Sequence, residues 1–262
     1  MVKEVEKYYD AQAQREWERL ERRPMELALT TRALKQYLPQ NSRVLDVGGG
    51  PGRYAINLAQ QGHQTTLVDL SNANVELAKV KAHEAGVELE GFVHGNALDL
   101  SSFQVEAYDA VLLFGPLYHL TDPGDRDTAI REALSKLKPG GLIFAAFINR
   151  YAFLHDIIKS DPRELLNNAN AQNLLKHGVN HADWGFTSAW FTHPEEIAPV
   201  MEGHGLDTQG LLAIDGFICM AADKITSLPQ EHFDAWEKLC WQLADDPSLL
   251  GSCEHLLYIG RK

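Results

Sequence analysis

Residues 43–53, R-V-L-D-V-G-G-G-P-G-R, constrain this chain more than any other stretch. Val44, Leu45 and Val47 make a short apolar run with β-branched residues, as a buried parallel strand carries. Glycines then crowd in at Gly48, Gly49, Gly50 and Gly52, and residues 54–61 have helical spacing with Ile56, Leu58 and Ala59 apolar. Strand, glycine turn and helix together let a ligand touch backbone N–H groups at a helix start. On this reading a Cβ at Gly48 or Gly50 would stand where the ligand must approach.

The glycine spacing separates the candidate folds. A dinucleotide site wants G-x-G-x-x-G, but Arg53 stands at the third glycine position. A P-loop is excluded because no Gly-Lys-Ser/Thr follows. What remains is G-x-G-x-G with Asp46 before it, or a glycine turn joining any strand to any helix. The stretch resembles motif I of the class I S-adenosylmethionine-dependent methyltransferases, small-molecule type.

Further residues fit that resemblance. Residues 64–69, Q-T-T-L-V-D, read as a second strand ending in Asp69, which can accept charge-assisted hydrogen bonds from both ribose hydroxyls. Asp69 can also cap the next helix, although Ser71 or Asn72 would serve equally well. That helix stops at Gly86. After the third strand, residues 89–94, the family usually has Asp-Ala; this chain has Asn96-Ala97, and an amide oxygen can still accept from the adenine amine. Asp99 reads as a loop acid. Residues 108–114, Y-D-A-V-L-L-F, resemble motif IV, and Gly115-Pro116 bends the chain toward Tyr118 and His119. A helix over 125–137, then Lys138-Pro139-Gly140-Gly141, leads to a fifth strand at 142–148.

The resemblance implies a Rossmann-like α/β fold, a doubly wound seven-stranded sheet of order 3-2-1-4-5-7-6 with the last strand antiparallel. It implies a single domain with lid helices over 1–38, a cofactor-binding core over 43–148, a cap over 149–193, and the rest of the sheet and helices over 194–262. It implies S-adenosyl-L-methionine as cofactor and S-adenosyl-L-homocysteine as product. The cofactor contacts would be Tyr9, Asp46, Gly48, Gly49, Gly50, Asp69, Leu70, Asn96, Ala97, Phe114 and Gly115. Tyr118 and His119 begin the substrate side.

Composition narrows the partners. Net charge is −12, from 24 Lys+Arg against 36 Asp+Glu, with no basic block, which disfavours wrapping nucleic acid. The three cysteines, Cys219, Cys240 and Cys253, lack C-x-x-C spacing and read as thiols in a reducing compartment. The charged first ten residues do not read as a signal peptide, and the longest apolar run, 142–148, is too short to span a bilayer. The expectation is a cytoplasmic protein, monomer or homodimer, acting on a small molecule.

The flanks read less sharply. Residues 2–23 favour helix with a sparse apolar stripe, and residues 25–38 a second helix. Tyr8-Tyr9 resembles the tyrosine pair that many such methyltransferases carry in a lid helix, or else one ring packs on the core and the other is solvated; neighbours on a helix are about 100° apart, so only one ring can face the pocket, and Tyr9 is the expected one. Residues 149–192 read as a cap. It holds helical candidates at 153–159 and 162–177 and an aromatic cluster of Trp184, Phe186, Trp190 and Phe191 that either lines a substrate pocket, the preferred reading, or packs the cap onto the sheet. His177 and His181 flank Gly178 without a carboxylate or thiol pattern, so no metal is expected. Helices at 194–204 and 229–244 and strands at 206–214 and 256–259 follow.

The chemistry follows from the implied sulfonium. Its methyl group is electrophilic, so alignment of the nucleophile and aromatic shielding by Tyr8, Tyr9 or Phe114 matter most. A base is needed only for a protonated acceptor, and His119 is the leading candidate, with structural packing as its alternative role. An RNA- or protein-modifying enzyme and a non-catalytic cofactor-binding protein are the competing classes. The first predicts a basic rim, the second a damaged glycine loop or ribose acid.

Overall fold

The computed structural model describes residues 2–167, 169–182 and 187–262. Nine strands occur among them: β1 Arg43–Val47, β2 Gln64–Asp69, β3 Gly91–His94, β4 Tyr108–Leu113, β5 Leu137–Asn149, β6 Val179–Asn180, β7 Ala189–Thr192, β8 Asp207–Ala213 and β9 His255–Arg261. Parallel pairing joins β3, β2, β1, β4 and β5 in that spatial order. β9 then pairs antiparallel with β5, and β8 antiparallel with β9. Counting only the strands the sequence anticipated, this is 3-2-1-4-5-7-6 with strand seven reversed. β1, β4 and β5 are sandwiched between helical layers, so Val44, Leu45, Val111, Leu112, Ile143 and Phe144 are wholly buried, which is why these runs are apolar without alternation.

Helices α1 Val2–Asp10, α2 Ala13–Arg19 and α3 Pro24–Tyr37 precede the sheet. The single helix expected over 2–23 is broken at Ala11-Gln12. Asp10, the last residue of α1, accepts from the Ser71 hydroxyl at 2.6 Å and from the Ala73 N–H at 3.2 Å. Leaving the helix there lets the carboxylate reach the start of another one, a tertiary bond that propensity does not encode. Helices α4 Arg53–Gln60, α5 Asn72–Glu84, α6 Pro116–His119 and α7 Pro123–Lys136 cross over within the core. Helices α8 Ala152–Ser160, α9 Ala169–His177, α10 Pro194–Glu202, α11 Ala222–Thr226 and α12 Gln230–Gln242 complete the chain.

The cap departs from expectation. It contains strands as well as helices: β7 pairs with β6 and extends the sheet at the far end of β5, Ile148 opposite Phe191 and Asn149 opposite Thr192. All four residues of β7 are buried. Trp190 packs edge-on against Phe147, ring centroids 6.2 Å apart, with the Arg126 guanidinium 3.8 Å from its ring centre. Trp190 therefore fastens the cap to the sheet, correcting the reading of it as pocket lining. Trp184 and Phe186 lie outside the described residues. No helix among the described residues is long and apolar enough to cross a membrane.

Candidate functional site

At the carboxyl ends of β1, β2 and β4 a cavity opens, lined by every residue expected to contact the cofactor and by Tyr118 and His119. The glycine turn forms one wall. Gly48, Gly50 and Gly52 have φ of +72°, +56° and +88°, which side chains rarely adopt. A Cβ on Gly48 would lie 2.6 Å from Cδ of Pro116, and one on Gly49 2.6 Å from Oδ2 of Asp46. A Cβ on Gly50 would meet nothing closer than Glu16 Cγ at 3.8 Å. Gly48 is thus required by neighbouring protein and by backbone conformation, and Gly50 by its backbone conformation, before any ligand is considered.

Two carboxylates lie behind the turn. Asp46 is completely buried, and neither of its oxygens finds a hydrogen-bond partner. Burial, then the nearby Asp69 charge, raise its carboxyl to about 7, opposed weakly by the Ala55 amide. Asp69 is held firmly: it accepts from Gly50 N–H at 2.7 Å, Ser71 N–H at 2.8 Å and the Asn74 amide at 3.1 Å. Burial raises its carboxyl despite these bonds. The helix cap itself is Ser71, whose hydroxyl accepts from Asn74 N–H at 3.1 Å. Asp69 therefore fixes the glycine turn to the second strand and keeps lone pairs for a further donor.

The remaining predicted residues converge from separate elements. Leu70, Asn96, Ala97, Phe114 and Gly115 line the same cavity. Asn96 Oδ1 already accepts from Leu98 N–H at 3.0 Å, so one lone pair and the amide protons remain for a ligand. Phe114 meets Tyr54 edge-on, ring centroids 4.9 Å apart. From α1, Tyr9 lines the cavity and Tyr8 does not. The Tyr9 hydroxyl is 2.8 Å from His119 Nε2, and the Thr187 hydroxyl is 3.0 Å from His119 Nδ1. Both ring nitrogens are engaged, and burial depresses the imidazole to about 4. That makes His119 a poor proton acceptor from an acceptor molecule and a good anchor for Tyr9. Tyr118 lies tilted against it, centroids 4.7 Å apart, and burial raises its phenol well above the usual range.

Sequence reasoning passed over Glu16, Arg19 and Glu26. Arg19 donates to Glu16 at 2.8 Å and to both oxygens of Glu26 at 2.9 Å. Glu26 is nearly sealed from solvent, and Arg19 and His255 hold its carboxyl down against burial. Glu16 and Arg19 pair within one turn of α2, but Glu26 joins them only when α2 folds onto α3, so no local pattern marks the cluster as a site. Behind it lies a second cavity of about 660 Å³. Tyr9, Glu16, Arg19 and Tyr118 line both cavities.

Comparison with known proteins fits this geometry. A sequence profile described as a methyltransferase domain matches residues 44–141. The chain is 32% identical over 179 residues to the ubiquinone biosynthesis O-methyltransferase of Xanthomonas axonopodis pv. citri (strain 306), covering 66% of this chain and 67% of that protein. This chain belongs to the S-adenosylmethionine-dependent methyltransferases. It is also 36% identical over 129 residues to the tRNA 5-carboxymethoxyuridine methyltransferase of Escherichia coli (strain K12), but the match spans about half of each chain, 48%. An S-adenosylmethionine-dependent methyltransferase of Thermotoga maritima, described as a possible histamine N-methyltransferase, shares the fold with a TM-score of 0.60 over 97% of this chain and 98% of its own, at 19% identity. The family's cofactor suits the residues present: the orphaned oxygens of Asp46 match an ammonium group, and Asp69 matches vicinal hydroxyls.

Proposed function

We propose that this methyltransferase holds S-adenosylmethionine in the first cavity and transfers its methyl group to a small-molecule acceptor in the second. The observation that carries the reading is the wall common to both cavities, Tyr9, Glu16, Arg19 and Tyr118. The second cavity has the size usual for a small-molecule site. The bound cofactor supplies an electrophilic methyl group. Asp46 would balance the charge of its methionine ammonium, Asp69 would take its ribose hydroxyls, and Asn96 would meet its adenine. Tyr9, tied to His119, would cover the methionine end and keep water out. The chain's contribution to rate is then alignment, which is worth up to about 7–11 kcal/mol in well-oriented reactions.

The name of the Escherichia coli relative raises tRNA as a second acceptor class. Arginines do line the second cavity, but three of the four are paired with carboxylates, Arg19 with Glu16 and Glu26, Arg22 with Glu18 and Arg23 with Glu254, while Arg15 bonds the neutral Gln12. Such pairing leaves little charge for phosphates and favours the small molecule. The test uses labelled methyl donor with a panel of small hydroxyl, amine and acid acceptors and, separately, with bulk tRNA. Label in the small-molecule fraction supports the reading; label only in tRNA overturns it.

A further inference from the structure

We propose that His255, held by Asp215, is the catalytic base that removes the acceptor's proton, and that the acceptor is an aromatic hydroxyl. This rests on the reading of the second cavity as the acceptor site. His255 opens β9 and Asp215 follows β8, so antiparallel pairing brings both to the carboxyl edge of the sheet, and both line the second cavity. Oδ2 of Asp215 lies 3.0 Å from His255 Nδ1. The same carboxylate accepts from the backbone N–H groups of Glu254 and His255 at 3.1 Å, which fixes its orientation. Nδ1 is thus the protonated nitrogen, and Nε2 is the acceptor, with no hydrogen bond to any described residue. A base oriented by a buried acid is the arrangement of the general catalytic triad.

The groups facing the imidazole suit the role. Glu26 and Arg23 reach it from the start of α3, Asp156 from α8, and Asp215 and Glu254 from the loops beside it. Glu26 and Asp215 together favour its protonated form and raise its pKa against burial, so it holds a proton better than a free histidine. By contrast His119 has both nitrogens engaged and is depressed. His255 also lies next to the wall between the cavities: Arg19 binds Glu26, and Glu26 Oε2 is 3.9 Å from His255 Nδ1.

The acceptor class follows from the polar groups left over. The buried carboxylates are all occupied: Glu26 by Arg19, Glu254 by Arg23 and Lys159, Asp215 by the dyad. An ammonium group brings three donors, for which Nε2 of His255 offers a single lone pair. A hydroxyl brings one donor and is satisfied by it. A carboxylate would be repelled by these acids and needs no base. Tyr118, Phe191 and Phe233 supply aromatic walls for a ring. In the step, the hydroxyl proton passes to Nε2 as oxygen bonds to the methyl carbon. The carbon–sulfur bond breaks with its electron pair left on sulfur, giving the neutral thioether, and the imidazolium returns its proton to water.

The experiment measures kcat/KM against pH for a panel of phenols with the full chain, His255→Ala, His255→Ala with added imidazole, and Asp215→Asn. Binding of S-adenosylhomocysteine to each is followed by calorimetry. The expected result is a fall of about 10²- to 10⁴-fold in His255→Ala, the range for general base catalysis, with partial rescue by imidazole and cofactor-product binding retained. Wild-type activity should fall as pH drops through a value above 6.5, and Asp215→Asn should move that limb to lower pH; a merely structural role would lower the plateau without moving the limb. Activity of His255→Ala within threefold of wild type, or transfer to amines or acids but to no phenol while the product binds, overturns the proposal. Failure to bind the product at all would count instead against the cofactor reading.

Discussion

The hydroxyl of Tyr9 sits 2.8 Å from Nε2 of His119, joining the first helix to the end of α6, 110 residues later. α1 otherwise buries only Val5, and its polar contacts include those of Asp10 with α5, Glu4 with the Ser188 hydroxyl at 3.4 Å and Glu6 with His94 at 3.5 Å. A helix that buries one residue and is held mainly by polar contacts suits a cover that opens and closes. Tyr9→Phe should keep the ring and remove one bond worth about 0.5–1.5 kcal/mol. Amide exchange across 2–10 should quicken in the variant while exchange in the sheet stays unchanged. In the wild-type protein, added S-adenosylhomocysteine should slow exchange across 2–10; slow exchange indifferent to ligand would identify α1 as a fixed part of the fold. Truncation to test the lid should stop before Arg19, because removing Arg19 strands the buried Glu26 carboxylate.

Asp46 should cost stability as pH rises. Its folded carboxyl is pushed up to about 7, above the ordinary value of 3.8, so the native state holds the proton longer than the unfolded chain. Stability from this group is therefore present below the unfolded value and lost between about pH 4 and pH 7, at up to about 1.4 kcal/mol per pH unit. His119 acts oppositely, since its depressed imidazole loses stability as pH falls from 6.5 toward 4. Asp46→Asn separates them: its midpoint of thermal unfolding, relative to wild type, should climb from pH 4 to 7 and then level off. The same variant should bind S-adenosylhomocysteine more weakly, and wild-type binding near pH 6.5 should release a proton, read by calorimetry in buffers of differing ionisation enthalpy.

Asp69→Ala should weaken binding of S-adenosylhomocysteine by about 1.5–3 kcal/mol, the range for charged hydrogen bonds. It should also lower stability, since Gly50, Ser71 and Asn74 lose their shared acceptor. Asp69→Asn keeps part of that acceptor set and should recover more stability than affinity. Equal recovery of both would make Asp69 a structural brace alone.

Gly48→Ala should destabilise the free protein by about 1–3 kcal/mol before any ligand is considered. Its φ of +72° and the 2.6 Å approach of the new Cβ to Pro116 act together. Gly50→Ala, with φ of +56° and open space around its Cβ, should cost less. Denaturant unfolding of the two variants would reveal the order, and a reversal would mean that Pro116 yields easily.

What the sequence determined is what lies close along the chain. Gly48-Gly49-Gly50, Asp46 and Asp69 sit at fixed offsets from strands whose apolar runs are unbroken, so their convergence at the carboxyl edge follows from parallel strand geometry. Helical geometry allowed only one of Tyr8 and Tyr9 to face the cavity, and the structure places Tyr9 there. Tertiary structure alone decided the rest. Asp10 breaks a helix to reach Ser71, and Trp190 turns from pocket lining to cap anchor because β7 pairs with the end of β5. His119 is engaged at both nitrogens by Tyr9 and Thr187, while Asp215 and His255, separated by 40 positions, meet across an antiparallel pair. Each is a bond between residues far apart in the chain, and a polar side chain's protonation and partners depend on burial and neighbours that no local pattern specifies.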